Sequence, residues 1–243
     1  REAFKALLAE MDVFIHNIRR DAIDRLGFGF EEVRKVRPDI IYVHCSGFDQ
    51  RGPYADLQAY DDIIQAASGL AQLLPMVDGN LQPRFLPAAI ADKVSGLHAV
   101  YGVLAAIIHK LRTGEGQYVE VPMFETLTAF LLAEHMDGAT FDEVPRNFGY
   151  ARMLVPHRRP LQTADGFITI LPYTNAQWAR FFKTVGRDDM INHVWVTDMD
   201  SIERTHKDRR AKAVLGEGRI AGQEVVLAKP RTFMNNSGEG IQY

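Results

Sequence analysis

The chain has 243 residues, 47% of them hydrophobic, and a formal net charge of −3 with acidic and basic side chains dispersed along it. That is apolar material for one or two cored domains, and it gives no electrostatic footing for nucleic acid or an anionic membrane as the main partner. A single cysteine, Cys45, excludes an internal disulfide and suits a reducing compartment, taken as the cytoplasm, while the 8 histidines show no Cys/His or His-x-x-x-His spacing that would hold zinc.

The chain opens inside a helical pattern, with neither an initiator Met nor a basic-then-apolar leader, and reads as a fragment. No apolar run is expected to reach the length that spans a bilayer. Phe4, Leu7, Leu8 and Met11 predict a short amphipathic helix, and Asp12 to Ile15 a strand. Asn17 to Arg20 is a loop. Ala22, Ile23 and Leu26 with the Gly27-Phe28-Gly29 exit predict a second helix, and Phe30 to Arg37 a third that Pro38-Asp39 ends. Ile40 to Cys45 then reads as a buried strand. Helix alternating with apolar strand implies a parallel α/β sheet.

In such sheets ligands sit beyond the carboxyl ends of the strands, here at Asn17 to Arg20 and at the glycine-rich turn Ser46 to Tyr54. His44 and Cys45 are neighbours on a strand and face opposite ways, so they form no nucleophile pair and belong to the core. Tyr60 to Gly69 is a helix with Asp61 and Asp62 in its first turn, where the macrodipole favours acids. Leu73 to Pro87 is expected to be a loop.

Asp92 stands at the start of a long helix whose apolar positions are Val94, Leu97, Tyr101, Leu104, Ile107, Ile108 and Leu111. Lys110, Arg112, Gly114 and Gly116 close it. Two readings of Asp92 stay open. One makes it a cap for free backbone N–H groups, worth about 1 kcal/mol; the other makes it a carboxylate kept ionised by the helix terminus, as a nucleophile must be. Ser95 and Gly96 leave the first turn bare enough for a ligand to approach.

Gln117 to Val121 alternates like a strand and Met123 to Met136 is a helix. Asp137 to Asn147 is a polar crossing, and Met153 to Pro160, with His157, Arg158 and Arg159, is a solvated basic turn. Gln162 to Leu171 reads as turn then strand, and Ala176 to Gly186, with Trp178, Phe181 and Phe182, as an amphipathic helix.

Ala91-Asp92-x-x-Ser95-Gly96 and Arg112-Thr113-Gly114-x-Gly116-Gln117, together with Asp12 to Gly29, Ser46 to Tyr54 and Tyr60 to Leu70, resemble the class III CoA-transferases. The resemblance runs from about Arg1 to Lys207. It implies an α/β fold: part of a Rossmann-like large domain over 1–136, a linker over 137–150, and part of a smaller α+β domain over 151–207. It also implies further chain before Arg1 and after Lys207 in complete relatives, which form interlocked homodimers.

By the same resemblance Asp92 is the nucleophile, with Tyr60 beside it in the thioester pocket and Asp61 on the acidic position that follows. Asn17, Ile18, Arg25 and Leu26 would hold the adenosine part of coenzyme A. A planar guanidinium such as that of Arg25 suits adenine stacking or phosphate contact. Coenzyme A enters as a thioester substrate rather than a resident cofactor, no metal is implied, and the partners are an acyl-CoA and a small carboxylic acid. Asp49 replaces the family's usual Gly, and Gln58 stands where the formyl-CoA enzyme has Lys. Racemases of the α-methylacyl-CoA type also resemble this sequence but carry His at the Tyr60 position. A tyrosine hydroxyl, with an ordinary pKa of ~10, is a poor base at neutral pH, so Tyr60 favours acyl transfer.

Beyond Lys207 the stretch Arg219 to Gly238, with Lys229-Pro230-x-Thr232-Phe233-Met234-Asn235-x-Ser237-Gly238, resembles a piece of bacterial peptidyl-tRNA hydrolase. Residues 208–243 are too few to bury a core alone, and this tail is expected to be inert.

Overall fold

Val13–His16, Ile41–Ser46 and Tyr118–Pro122 are short runs dominated by β-branched and aromatic residues, and they form the strands β1, β2 and β3 of one parallel sheet in that order. The computed structural model describes residues 1–136, 149–150, 153–156, 158–172 and 174–193, and the backbone of 213–220 and 223–230. The expected linker over 137–150 lies mostly outside these residues, as do His157 and the motif residues Thr232 to Gly238. The chain divides into two units, Arg1–Pro75 with Asn80–Ala133, and Met76–Gly79 with Glu134–Tyr243.

In the first unit the register pairs His16 with His44 and Cys45 with Val121. Side chains alternate between the two sheet faces. Phe14 and Tyr42 pack with Leu8 of α1 (Glu2–Leu8), with Val33 and Val36 of α3 (Phe30–Val36), and with Phe28. Val13, Ile41, Val43, Cys45 and Val121 pack on the other face against Ala99, Val103, Ala106 and Ile107 of α6 (Ile90–Thr113). Parallel strands need both faces covered, and these two sets of helices do that. Between β1 and β2 lies α2 (Arg20–Leu26), ended by Gly27 in the left-handed conformation.

The connection from β2 to β3 carries α4 (Asp61–Ala67), α5 (Leu70–Asp78) and then α6. The expectation of a loop from Leu73 is corrected here, since a helix runs to Asp78. Pro75 inside α5 has no N–H for the Ala71 carbonyl four residues back; the backbone N–H of Arg84 donates to that carbonyl instead, at 3.0 Å. The orphaned acceptor is thereby satisfied, and buried Leu70, Ala71 and Pro75 hold the helix in place.

α6 is long and apolar enough to cross a bilayer by length and composition, which corrects the expectation that no run here would be. Alanines among its Val, Leu and Ile side chains keep its mean hydropathy high, and small residues take positions that face the strands. They also let it lie close along the sheet: a Cβ at Gly102 would stand 2.9 Å from Val119. At its far end Lys110 Nζ is 2.9 Å from both Asp12 and Asp39, which precede β1 and β2. α7 (Met123–His135) follows β3 directly.

In the second unit, β4 (Leu161–Gln162) and β5 (Phe167–Ile168) form a small antiparallel hairpin whose strand is shorter than the expected run to Leu171. α8 (Asn175–Thr184) begins with a capping box in which Thr174 and Gln177 satisfy each other's backbone N–H. Its buried face, Trp178 and Phe182, packs on Phe181, Met190 and Ile191. β6 (Ala213–Ile220) and β7 (Gln223–Pro230) pair antiparallel from Ala213 opposite Pro230 to Ile220 opposite Gln223.

Candidate active site

Asp92 sits in the first turn of α6 rather than at its cap, because the helix begins two residues earlier than the periodicity implied, at Ile90. Its neighbours Ala91 and Val94 are buried in a cluster with Phe48, Ile64, Leu70 and Leu127. These fix the rotation of the turn and turn Asp92 outward, where its side chain is exposed. Among the described residues its carboxylate makes no hydrogen bond or ion pair. Gly96, one turn along on the same face, meets no atom within 4 Å of where a Cβ would stand. The bare approach expected of Ser95-Gly96 is therefore supplied by Gly96 alone. Ser95 is buried, its Oγ donating to Ala91 O at 2.7 Å and lying 3.1 Å from Thr126 Oγ1.

The cap function belongs to a different acid. Asp61 Oδ2 accepts the backbone N–H of Asp92 at 3.1 Å, and Asp61 Oδ1 accepts from Gln65 Nε2 at 2.6 Å. Gln65 is fully buried and was not singled out by the sequence. Its Nε2 also lies 3.4 Å from Leu86 O and 3.2 Å from Ala88 O, while its Oε1 accepts from Leu86 N at 2.9 Å. One amide side chain thus ties α4 to the segment that leads into α6. A Gln on a helix carries no local signal of this, since its partners lie 21 and 23 residues away.

Tyr60 is the residue before α4 and is 66% exposed. Asp61 meets the backbone of Asp92, and Tyr60 is its neighbour in the chain; among the described residues no contact joins the Tyr60 side chain to Asp92. The amides of this turn are largely committed: Asp92 N–H to Asp61, Ile90 N–H to Ala88 O and Lys93 N–H to Ala89 O. They leave little for an oxyanion.

The other expected residues form a second group along the turn and the helix that follow β1. Asn17 and Ile18 are exposed in the turn between β1 and α2, and Leu26 is exposed at the end of α2. Arg25 points to solvent and bonds within its own helix to Asp21, with Nε 3.2 Å from the carbonyl and Nη2 3.4 Å from the carboxylate. No described contact joins this group to Asp92. The turn is braced by Arg19, whose guanidinium donates to Asp56 O at 3.1 Å.

The Ser46 to Tyr54 turn is held from below by two carboxylates absent from the sequence reading. Glu120 Oε1 accepts from Gln50 N at 2.9 Å, and Glu125 Oε1 accepts from Asp49 N at 3.1 Å. Asp49 itself shapes the turn, accepting from Arg51 N at 2.7 Å and from its guanidinium at 2.8 Å. Those bonds from Arg51 hold the Asp49 carboxyl down at about 2. Gly47 is required by packing, because a Cβ there would lie 2.3 Å from that of Ala59.

A profile described as CoA-transferase family III matches residues 1–223, further along the chain than Lys207. A succinate–glutarate CoA-transferase of Agrobacterium fabrum is 32% identical over 182 residues, 75% of this chain and 45% of that protein. A formyl-CoA:oxalate CoA-transferase of Escherichia coli is 32% identical over 144 residues, 59% of this chain and 34% of that protein. Among solved structures, a CAIB/BAIF family protein from Brucella suis superposes with a TM-score of 0.66 at 27% identity, covering 79% of this chain and 50% of that one. A hypothetical protein from Mycobacterium tuberculosis, at 24% identity and a TM-score of 0.65, shares the fold. The chain spans half the length or less of each of these relatives.

Proposed function

The chain belongs to CoA-transferase family III, and from that premise we propose that it contributes the nucleophile half of an enzyme moving coenzyme A from an acyl-CoA to a small carboxylic acid. The observation that carries the reading is the Asp92 carboxylate: exposed, unpartnered among the described residues, and mounted on a turn whose backbone Asp61 holds still.

In the proposed sequence an Asp92 oxygen attacks the thioester carbonyl, the C–S bond breaks, and coenzyme A leaves as thiolate. The product is a mixed anhydride on Asp92. The thiolate then attacks the aspartyl carbonyl, forming an aspartyl-CoA thioester and releasing the first carboxylate. The acceptor carboxylate attacks that thioester and expels the thiolate, which takes the new acyl group and restores Asp92. Covalent catalysis divides one hard exchange into easier steps. Asn17, Ile18, Arg25 and Leu26 are assigned to the adenosine end of the coenzyme and Tyr60 to the thioester end. Because most of the amides at Asp92 are committed, the main oxyanion donors are assigned to groups other than this turn.

The names of the relatives favour short-chain acids as donor and acceptor. A cytoplasmic homodimer is the assembly proposed, as in the family resemblance. The segment resembling peptidyl-tRNA hydrolase is read as carrying no activity of its own, and peptidyl-tRNA cleavage by the purified chain would overturn that. Asp92→Asn should abolish transfer between a short acyl-CoA and a dicarboxylic acid, and hydroxylamine should convert Asp92 of the wild type to its hydroxamate, read by mass on the peptide. A variant that keeps near-normal rates rejects Asp92 as nucleophile.

A further inference from the structure

Two histidines stack at the carboxyl ends of β1 and β2. The rings of His16 and His44, paired across the parallel register, lie 4.8 Å apart at 18°. Both are buried, and neither takes part in the chemistry assigned above. Their hydrogen bonds fix where their protons are. The backbone N–H of Ile18 can only donate, and it lies 3.2 Å from His16 Nδ1, which must therefore be bare. The His16 proton is then on Nε2, which donates to Tyr42 Oη at 2.8 Å; Tyr42 donates in turn to Phe28 O at 3.0 Å.

The carbonyl of Ile18 can only accept. His44 Nε2 lies 3.1 Å from it and carries the proton, leaving His44 Nδ1 to accept from Tyr118 Oη at 3.3 Å. Both rings are thus neutral, and between them they hold the N–H and the C=O of one residue. A second proton on His16 would remove the acceptor for Ile18 N–H, and on His44 the acceptor for Tyr118. Either would set a cation against the neighbouring ring.

We propose that His16 and His44 are positioning residues, a clamp on Ile18 that works only with both imidazoles neutral and that holds the Asn17-Ile18 turn in the shape that receives the adenosine end of coenzyme A. This rests on the assignment of that turn to the coenzyme made above. Burial, and secondarily the neighbouring His44, draw His16 down to about 4; burial also lowers His44. The other groups facing the pair are Asp24 and Arg20 of α2, Glu120 of β3, and the hydroxyls of Tyr42 and Tyr118. Asp24 favours a proton on either ring, Glu120 favours one on His44, and Arg20 opposes one there. Burial outweighs them for both rings.

The test starts with the wild-type chain. Imidazole 15N spectra should show His16 and His44 as Nε2–H tautomers; His16 should remain neutral at pH 6, where a free imidazole is mostly protonated, and His44 should protonate only below the free-imidazole range. An Nδ1–H tautomer or ordinary titration on either ring overturns the clamp. Amide exchange at Ile18 should be slow in wild type, on the order of 5- to 10-fold faster in His16→Phe, which keeps an aromatic ring but no acceptor, and restored in His16→Asn, whose carbonyl can stand in for Nδ1. Unchanged exchange in His16→Phe likewise overturns it. Calorimetry with free coenzyme A should follow the same order, with affinity lost in His16→Phe and recovered in His16→Asn. Equal affinity in all three overturns the positioning role. No heat with the wild-type chain rejects the coenzyme assignment itself, while the spectra and the exchange rates still decide the clamp.

Discussion

A buried imidazole that must stay neutral makes stability depend on pH, and His16 sets the sign. Its pKa falls from the ordinary 6.5 to about 4 on folding, first through burial and then through His44. The unfolded chain therefore binds more protons than the native one below pH 6.5, so stability rises with pH across that interval. The contribution is complete above about pH 6.5 and is lost as the pH falls toward about 4, amounting to on the order of 3 kcal/mol over the whole interval. Urea unfolding at pH 7 and pH 4.5 should show most of this difference in wild type and a smaller one in His16→Gln. An equal slope in both would show that other groups carry the acid sensitivity. At this scale the sequence was informative about residue type and silent about partners. His44 and Cys45 read correctly as core residues on opposite faces, because strand alternation is local. The stack with His16, 28 positions away in the chain, depends on strand pairing and had no local signal.

Elements were legible where periodicity is strong and no long-range contact overrides it. The three strands and most of the helices of the first unit fall within a residue or two of the expected bounds. α5 was missed because Pro75 breaks the local pattern, and only Arg84, from the chain beyond the helix, makes that break tolerable. The start of α6 was misplaced for a similar reason, since its cap is the side chain of Asp61 on another helix. The candidate site shows the same division: Asp92 and Tyr60 stand out in the sequence as candidates, whereas Gln65, which joins α4 to the approach to α6, does not. Gln65→Leu would leave Asp61 Oδ1, Leu86 N–H and Ala88 O short of a partner in a buried setting. The expected cost is about 2–4 kcal/mol in chemical denaturation, with transfer activity falling further than stability alone explains, because the backbone of Asp92 loosens. Wild-type stability in the variant would show that Gln65 is not the tie.

On the scale of the first unit, one helix runs the depth of the fold. α6 carries Asp92 near one end and Lys110 near the other, about 27 Å away at 1.5 Å per residue. At the far end Lys110 is gripped by Asp12 and Asp39, whose carboxyls it holds below their usual range. Between the two ends, small side chains at Ala99, Gly102 and Ala106 let the rod rest close on the strands. Its outward side, including Leu104, Ile108 and Leu111, remains exposed. A rod fixed at its foot transmits a tilt there to its tip. Lys110→Met should therefore lower the transfer rate and Tm together while leaving every residue near Asp92 in place, and a Tm loss with no kinetic change would show that the tip is anchored independently. Concentrated salt, by screening the same ionic foothold, acts in the same direction: the aim of Asp92, the proposed nucleophile, is set in part by charges a whole sheet's length behind it.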